Sequence, residues 1–124
     1  MAATFSVAVL AELTGLGKDI SYPDKGTDGT TPTASTGIVY RTLATANTAE
    51  ALDLGGVGTV TCLIIRAIDY DLDIDLDYLT AFNADLTVNA GEIAAVIPNP
   101  VLVYVNGAET DETPAYEYMV IGTT

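Results

Sequence analysis

The sequence predicts an all-β fold: a single antiparallel β-sandwich, jelly-roll-like, of about eight or nine strands with a long Gly/Thr-rich loop near its N-terminus. Three observations carry this. Apolar runs are short, rich in Val, Ile and Tyr, and often alternate with polar residues. Gly, Pro, Asn and Asp separate them at intervals of roughly 8–12 residues, the rhythm of strands joined by turns. The chain has 124 residues, 49% of them hydrophobic, enough for one domain to bury a core without disulfides or a metal.

Taken in order, Thr4–Glu12 (TFSVAVLAE) sets Phe5, Val7 and Val9 against Thr4, Ser6 and Ala8, the period of a strand. Residues 1–14 then form either the first strand of the sandwich or an arm that adds to a neighbour's sheet edge. Residues 15–37 are rich in Gly, Thr, Asp and Pro, with no helical period. They read as a long polar loop with a little strand near Ile20–Tyr22, too long for an ordinary connection. The sandwich core occupies residues 38–124. Its expected strands are Ile38–Ala44, Glu50–Leu54, Thr59–Ile68, Ala84–Val88, Ile93–Ile97, Val101–Val105 and Ala115–Ile121. Thr59–Ile68 is the most apolar and reads as a central strand buried on both faces. Asn106–Pro114 opens with Asn-Gly and reads as a hairpin-type loop.

Between two of these strands lies AIDYDLDIDLDY, with aspartate at 69, 71, 73, 75 and 77. On a helix, Asp69, Asp73 and Asp77 would be like-charged neighbours one turn apart, which is unfavourable. On a strand all five carboxylates share one face, so the run is expected to be the solvent face of an amphipathic strand. A calcium loop fails at both diagnostic places: counting from Asp71, position six is Leu76 and position twelve is Phe82. Alternate residues on a strand stand roughly 6.5–7 Å apart, too far for one ion to bridge neighbours. Diffuse counterions attracted by the five like charges are expected, and Asp71, Asp73 and Asp75 are the candidate contacts if a cation is held directly.

Nothing selects a catalytic or cofactor site. The chain has no histidine and one cysteine. No Ser-His-Asp or Cys-His set is possible, and GLG (15–17) and GGVG (55–58) lack what a phosphate loop requires. Cys62, in TVTCLII, reads as a small buried hydrophobe. The expectation is therefore no enzyme, no cofactor and no built metal site.

Charge narrows the partners. Seventeen acids face four bases, a net charge of −13. Residues 63–124 hold eleven acids and one base, or −10. Such a surface repels phosphate, which makes nucleic acid and anionic membrane poor partners. No apolar run approaches the roughly 18 residues of a membrane span. The first residues lack a basic region ahead of an apolar one, so folding in a cytoplasm is expected.

Four pieces in the second half resemble small all-β phage virion proteins. They are GGVGTVTCLIIRAIDYD (55–71), LTVNAGEIAAVIPNP (86–100), LVYVNG (102–107) and YEYMVIGT (116–123). The likeness covers about Ala49–Thr124, and it departs from the pattern at Ala67, where asparagine is usual. The resemblance implies a capsid decoration (cement) protein or a minor head protein that binds the major capsid protein, often as a homotrimer. That places it on the virion surface, after assembly in the host cytoplasm. Phe5, Val7, Val9, Lys18 and Lys25 are then candidate contacts to the shell or to sister subunits. Arg66 is either an interface anchor or one half of an ion pair, with Glu92 at the AGE turn as its partner. Tyr116 and Tyr118 share a face and are expected to pack. The competing reading is a carbohydrate- or host-surface-binding module, which the absence of tryptophan disfavours.

Overall fold

A computed structural model describes residues 3–14, 17, 20–27, 31–96 and 102–124, with only the backbone of residues 7–13, 20 and 22–27. The chain divides into two compact units, residues 1–32 and 33–124.

In the first unit β1 (Ser6–Leu13) and β2 (Ile20–Thr27) pair antiparallel, in register from Ser6 opposite Thr27 to Leu13 opposite Ile20. Strand therefore extends well past Tyr22 into the stretch read as polar loop. A pairing partner satisfies backbone N–H and C=O groups whatever the side chains, so polar composition alone did not advertise β2.

The second unit is all-β, with no helix among the described residues. Its nine strands are β3 (Ala34–Ser35), β4 (Val39–Thr42), β5 (Glu50–Ala51), β6 (Thr59–Ala67), β7 (Leu72–Asp75), β8 (Leu86–Val88), β9 (Ile93–Val96), β10 (Tyr104–Gly107) and β11 (Ala115–Thr123). They form two antiparallel sheets. In one, β3 and β4 both pair with β11, followed by β6 and then β9; the other runs β5-β10-β7-β8.

Both sheets contribute to one apolar cluster. Leu63, Ile65 and Ala67 of β6 and Tyr116, Tyr118 and Val120 of β11 meet Leu72, Ile74, Val88 and Val105 of the other sheet. Alternation along β6 and β11 supplies this face. A bulge maintains it: Ile121 pairs with Cys62 and Gly122 with Val60, which leaves Thr61 without a counterpart. The extra residue shifts the phase by one, so that Val60 joins Leu63 and Ile65 in the core. Gly122 makes the bulge possible, because a Cβ there would collide with the Thr59 carbonyl oxygen and Val57 Cγ1.

Two expectations are corrected. The Asn106–Pro114 loop is no hairpin: β10 pairs with β5 and β7, whereas β11 pairs with β3, β4 and β6, so the loop carries the chain from one sheet to the other. The aspartate run is likewise no single strand. The chain leaves one sheet at Ala67 and enters the other at Leu72, and only residues 72–75 of the run are strand.

Candidate functional site

Leaving one sheet for another breaks the alternation and exposes backbone N–H groups to be satisfied. The aspartates meet that need. Asp69 Oδ1 accepts from the Ala115 N–H at 2.7 Å, tying the crossing to the start of β11, and Asp71 Oδ1 accepts from the Ala90 N–H at 2.8 Å. Asp73 Oδ1 accepts the Thr87 hydroxyl on the neighbouring β8. The expectation of five carboxylates on one wet face therefore fails, and its extreme exception is Asp75, which is 1% exposed.

Asp75 closes the turn after β7. Its Oδ1 accepts from the Asp77 N–H at 3.0 Å and its Oδ2 from the Asn83 N–H at 2.9 Å. Asp85 Oδ2 accepts from the Leu76 N–H at 2.7 Å. Burial pushes the Asp75 carboxyl up, but the Asn83 and Asp77 backbone donors, together with the Asp77 side chain, more than offset it and hold the group below the ordinary carboxylate range. Asp77 moves the other way, raised by the nearby Asp85 charge and then by its interaction with Asp75.

Of the candidate cation contacts Asp71, Asp73 and Asp75, only Asp75 joins, among the described residues, a group compact enough to share an ion. Asp75, Asp77 and Asp85 each place an oxygen within 4.8 Å of the others. Calcium needs six to eight oxygens. Both Asp75 oxygens already serve backbone donors, so the group is accounted for as a turn closure.

A different surface has no such internal account. β4, β11, β6 and β9 place Tyr40, Glu117, Arg66 and Ile93 in one row, each directly opposite the next. Met119, Ile64 and Ala95 make the adjacent row. These positions alternate with the core residues, so they occupy the outer face of the five-stranded sheet. Ile38 is 80% exposed, Tyr40 64% and Ile93 67%. Ile38, Ile64, Arg66, Ile93, Glu117 and Met119 line a groove of about 190 Å³ on this face. Arg66 Nη1 stands 3.4 Å from Glu117 Oε1 in the middle of the row. The partner is thus Glu117 and not Glu92, which instead accepts from the Asn89 N–H at its own turn.

Of the other candidate contacts, Phe5 is half-buried just before β1; Val7 and Val9 lie on β1, and Lys25 on β2, as backbone positions. Lys18 lies outside the described residues. Ile38, Tyr40 and Ile93 were missed by sequence reasoning. The available signal was the set alternating with the core residues, Ile38 and Tyr40 in IVYRT and Ile64 in CLIIRAI, which is itself largely apolar. Compared with known proteins, the chain matches no family model, no curated protein and no solved structure.

Proposed function

We propose that this chain is a structural virion protein of a tailed phage, a capsid decoration (cement) protein that binds the major capsid protein and stabilises the shell. The observation that carries the reading is the apolar outer face of the β4-β11-β6-β9 sheet, with Ile38, Tyr40 and Ile93 open to solvent. Contiguous exposed apolar surface on a small β protein marks a site for another macromolecule. The resemblance over Ala49–Thr124 supports the same reading, as does a polar network spent on closing turns and not on a reaction. On this view the two sheets pack face to face as a jelly-roll-like sandwich. The protein acts as a homotrimer on the virion surface, is assembled there from the host cytoplasm, and carries out no catalysis. Mass spectrometry of purified virions tests it. Hundreds of copies per particle are expected; a handful would move the protein to the neck, tail or vertex, and none would end the proposal.

One observation favours a second reading, a carbohydrate- or host-surface-binding module. Tyr78 and Tyr104 stack with ring centroids 3.7 Å apart and planes at 13°, and Tyr104 pairs in register with Asp75. A pair of half-buried aromatic rings offers a stacking face to a sugar, although the Asp75 carboxylate is buried and already serves two backbone donors. Glycan-array binding by the purified protein, abolished by Tyr78→Ala, would favour this module over the shell protein.

A further inference from the structure

Resting on the shell-binding reading, we propose that the free edge of β9 and the apolar groove beside it accept an extended, basic segment of the partner protein as an added strand.

The edge comes first. Among the described residues β9 pairs with β6 alone. The Ala67 N–H donates to the Glu92 carbonyl at 3.2 Å, and the Ala67 carbonyl accepts from the Gly91 N–H at 2.8 Å, so Ala67 turns both backbone groups toward β9. The Ile68 N–H donates to Ala115 on the opposite side. Backbone groups alternate sides along an antiparallel strand. Ile65, two residues before Ala67, therefore also faces β9, and its partner Ala94 faces back. Ile93 and Ala95 then direct their N–H and C=O groups away from β6, at the spacing an incoming strand requires.

This edge is short, four residues, but its side chains give it no further protection. Ile93–Val96 contains no charge, no lysine and no proline. Its outward side chains continue the groove: Ile93 lines it with Ile38, Ile64 and Met119. An added strand places its own alternate side chains beside Ile93 and Ala95, where apolar residues complete the face.

Charge selects the occupant. Residues 33–124 hold thirteen acids and two bases, for 2 − 13 = −11. Both bases already face carboxylates: Arg41 lies 3.5 Å from Asp53 and Arg66 lies 3.4 Å from Glu117. A second copy would set one chain of net charge −13 against another, and long-range repulsion discourages its pairing along this edge. A segment with lysine or arginine flanking its apolar positions is attracted instead. Repulsion between copies thus protects the edge from itself and leaves it open to a basic strand.

The test uses the full chain and shells assembled from the phage's major capsid protein alone. Ala95→Pro removes an outward N–H and Ile93→Glu places a charge at the groove mouth; neither touches the core. Both are expected to weaken shell binding roughly tenfold or more with unchanged thermal midpoints. Wild-type binding is expected to weaken as salt rises. Hydrogen exchange on the wild type, which needs no variant, is expected to show the Ile93 and Ala95 amides becoming protected on shell binding. If the wild type binds while both variants bind equally well and those amides stay unprotected, the edge proposal is overturned and the shell-binding reading survives. If the wild type does not bind shells, both are overturned.

Discussion

Asp75 and Asp77 are two residues apart and have opposite effects on stability. Asp75 is buried, and its folded-state carboxyl is held below the ordinary range by backbone donors. It contributes stability above the ordinary carboxylate range, and that contribution is lost as pH falls through its depressed value. Asp77 is exposed and raised by Asp85. Its charge opposes folding at neutral pH, and stability is gained as pH falls through its raised value. Denaturant unfolding from neutral pH down through the carboxylate range should therefore show a rise followed by a fall. Asp77→Asn should stabilise the protein at neutral pH and remove the rise. Asp75→Ala, which strands two N–H groups, should cost about 2 kcal/mol or more and remove its share of the fall. A profile unchanged by either substitution would contradict these roles. None of this was legible in a row of alternating aspartates, because the alternation gives the same pattern whether the carboxylates meet water or a turn's N–H groups.

At the scale of the element, β6 and β11 were readable and the connections were not. Thr59–Ile68 and Ala115–Ile121 were expected, and Thr59–Ala67 and Ala115–Thr123 are found, but burial of β6 on both faces fails: Thr59 and Arg66 are exposed and Thr61 and Ile64 only half-buried, because its second face has no sheet packed on it. The short edge strands β3 and β5 are two residues each and leave no periodic trace. Expected strands at Ile93–Ile97 and Val101–Val105 run partly outside the described residues. The crossings at 68–71 and 108–114 are tertiary events, invisible to period two. The bulge is also tertiary: only the backbone contact between Gly122 and Thr59 shows why a glycine stands near the end of an apolar strand. Gly122→Ala forces that backbone apart and should cost at least about 2 kcal/mol. Equilibrium unfolding would measure it, and a loss near zero would mean that the pairing at Thr61 is not held in place by the glycine.

At the scale of the molecule, the division at Pro32 has a consequence for folding. Residues 33–124 contain the two larger sheets and, among the described residues, all of the apolar cluster they share. Expressed alone, they should unfold in one cooperative transition with near-native β circular dichroism. A fragment that is unfolded, or that melts without cooperativity, would show that residues 1–32 are needed to complete the core. The charge of the molecule was legible from composition. The apolar outer face was not, since it depends on which strands lack a covering layer.

The chain's one sulfhydryl, Cys62, is 5% exposed on β6, directly opposite Ile121 of β11 and one residue before the stretch that pairs with β9. A buried thiol reacts with a dye only through local opening of the structure around it. Its labelling rate is therefore an intrinsic clock for the breathing of the central strand, read as a single mass increment. A strand added along β9 should slow that clock without approaching the sulfur.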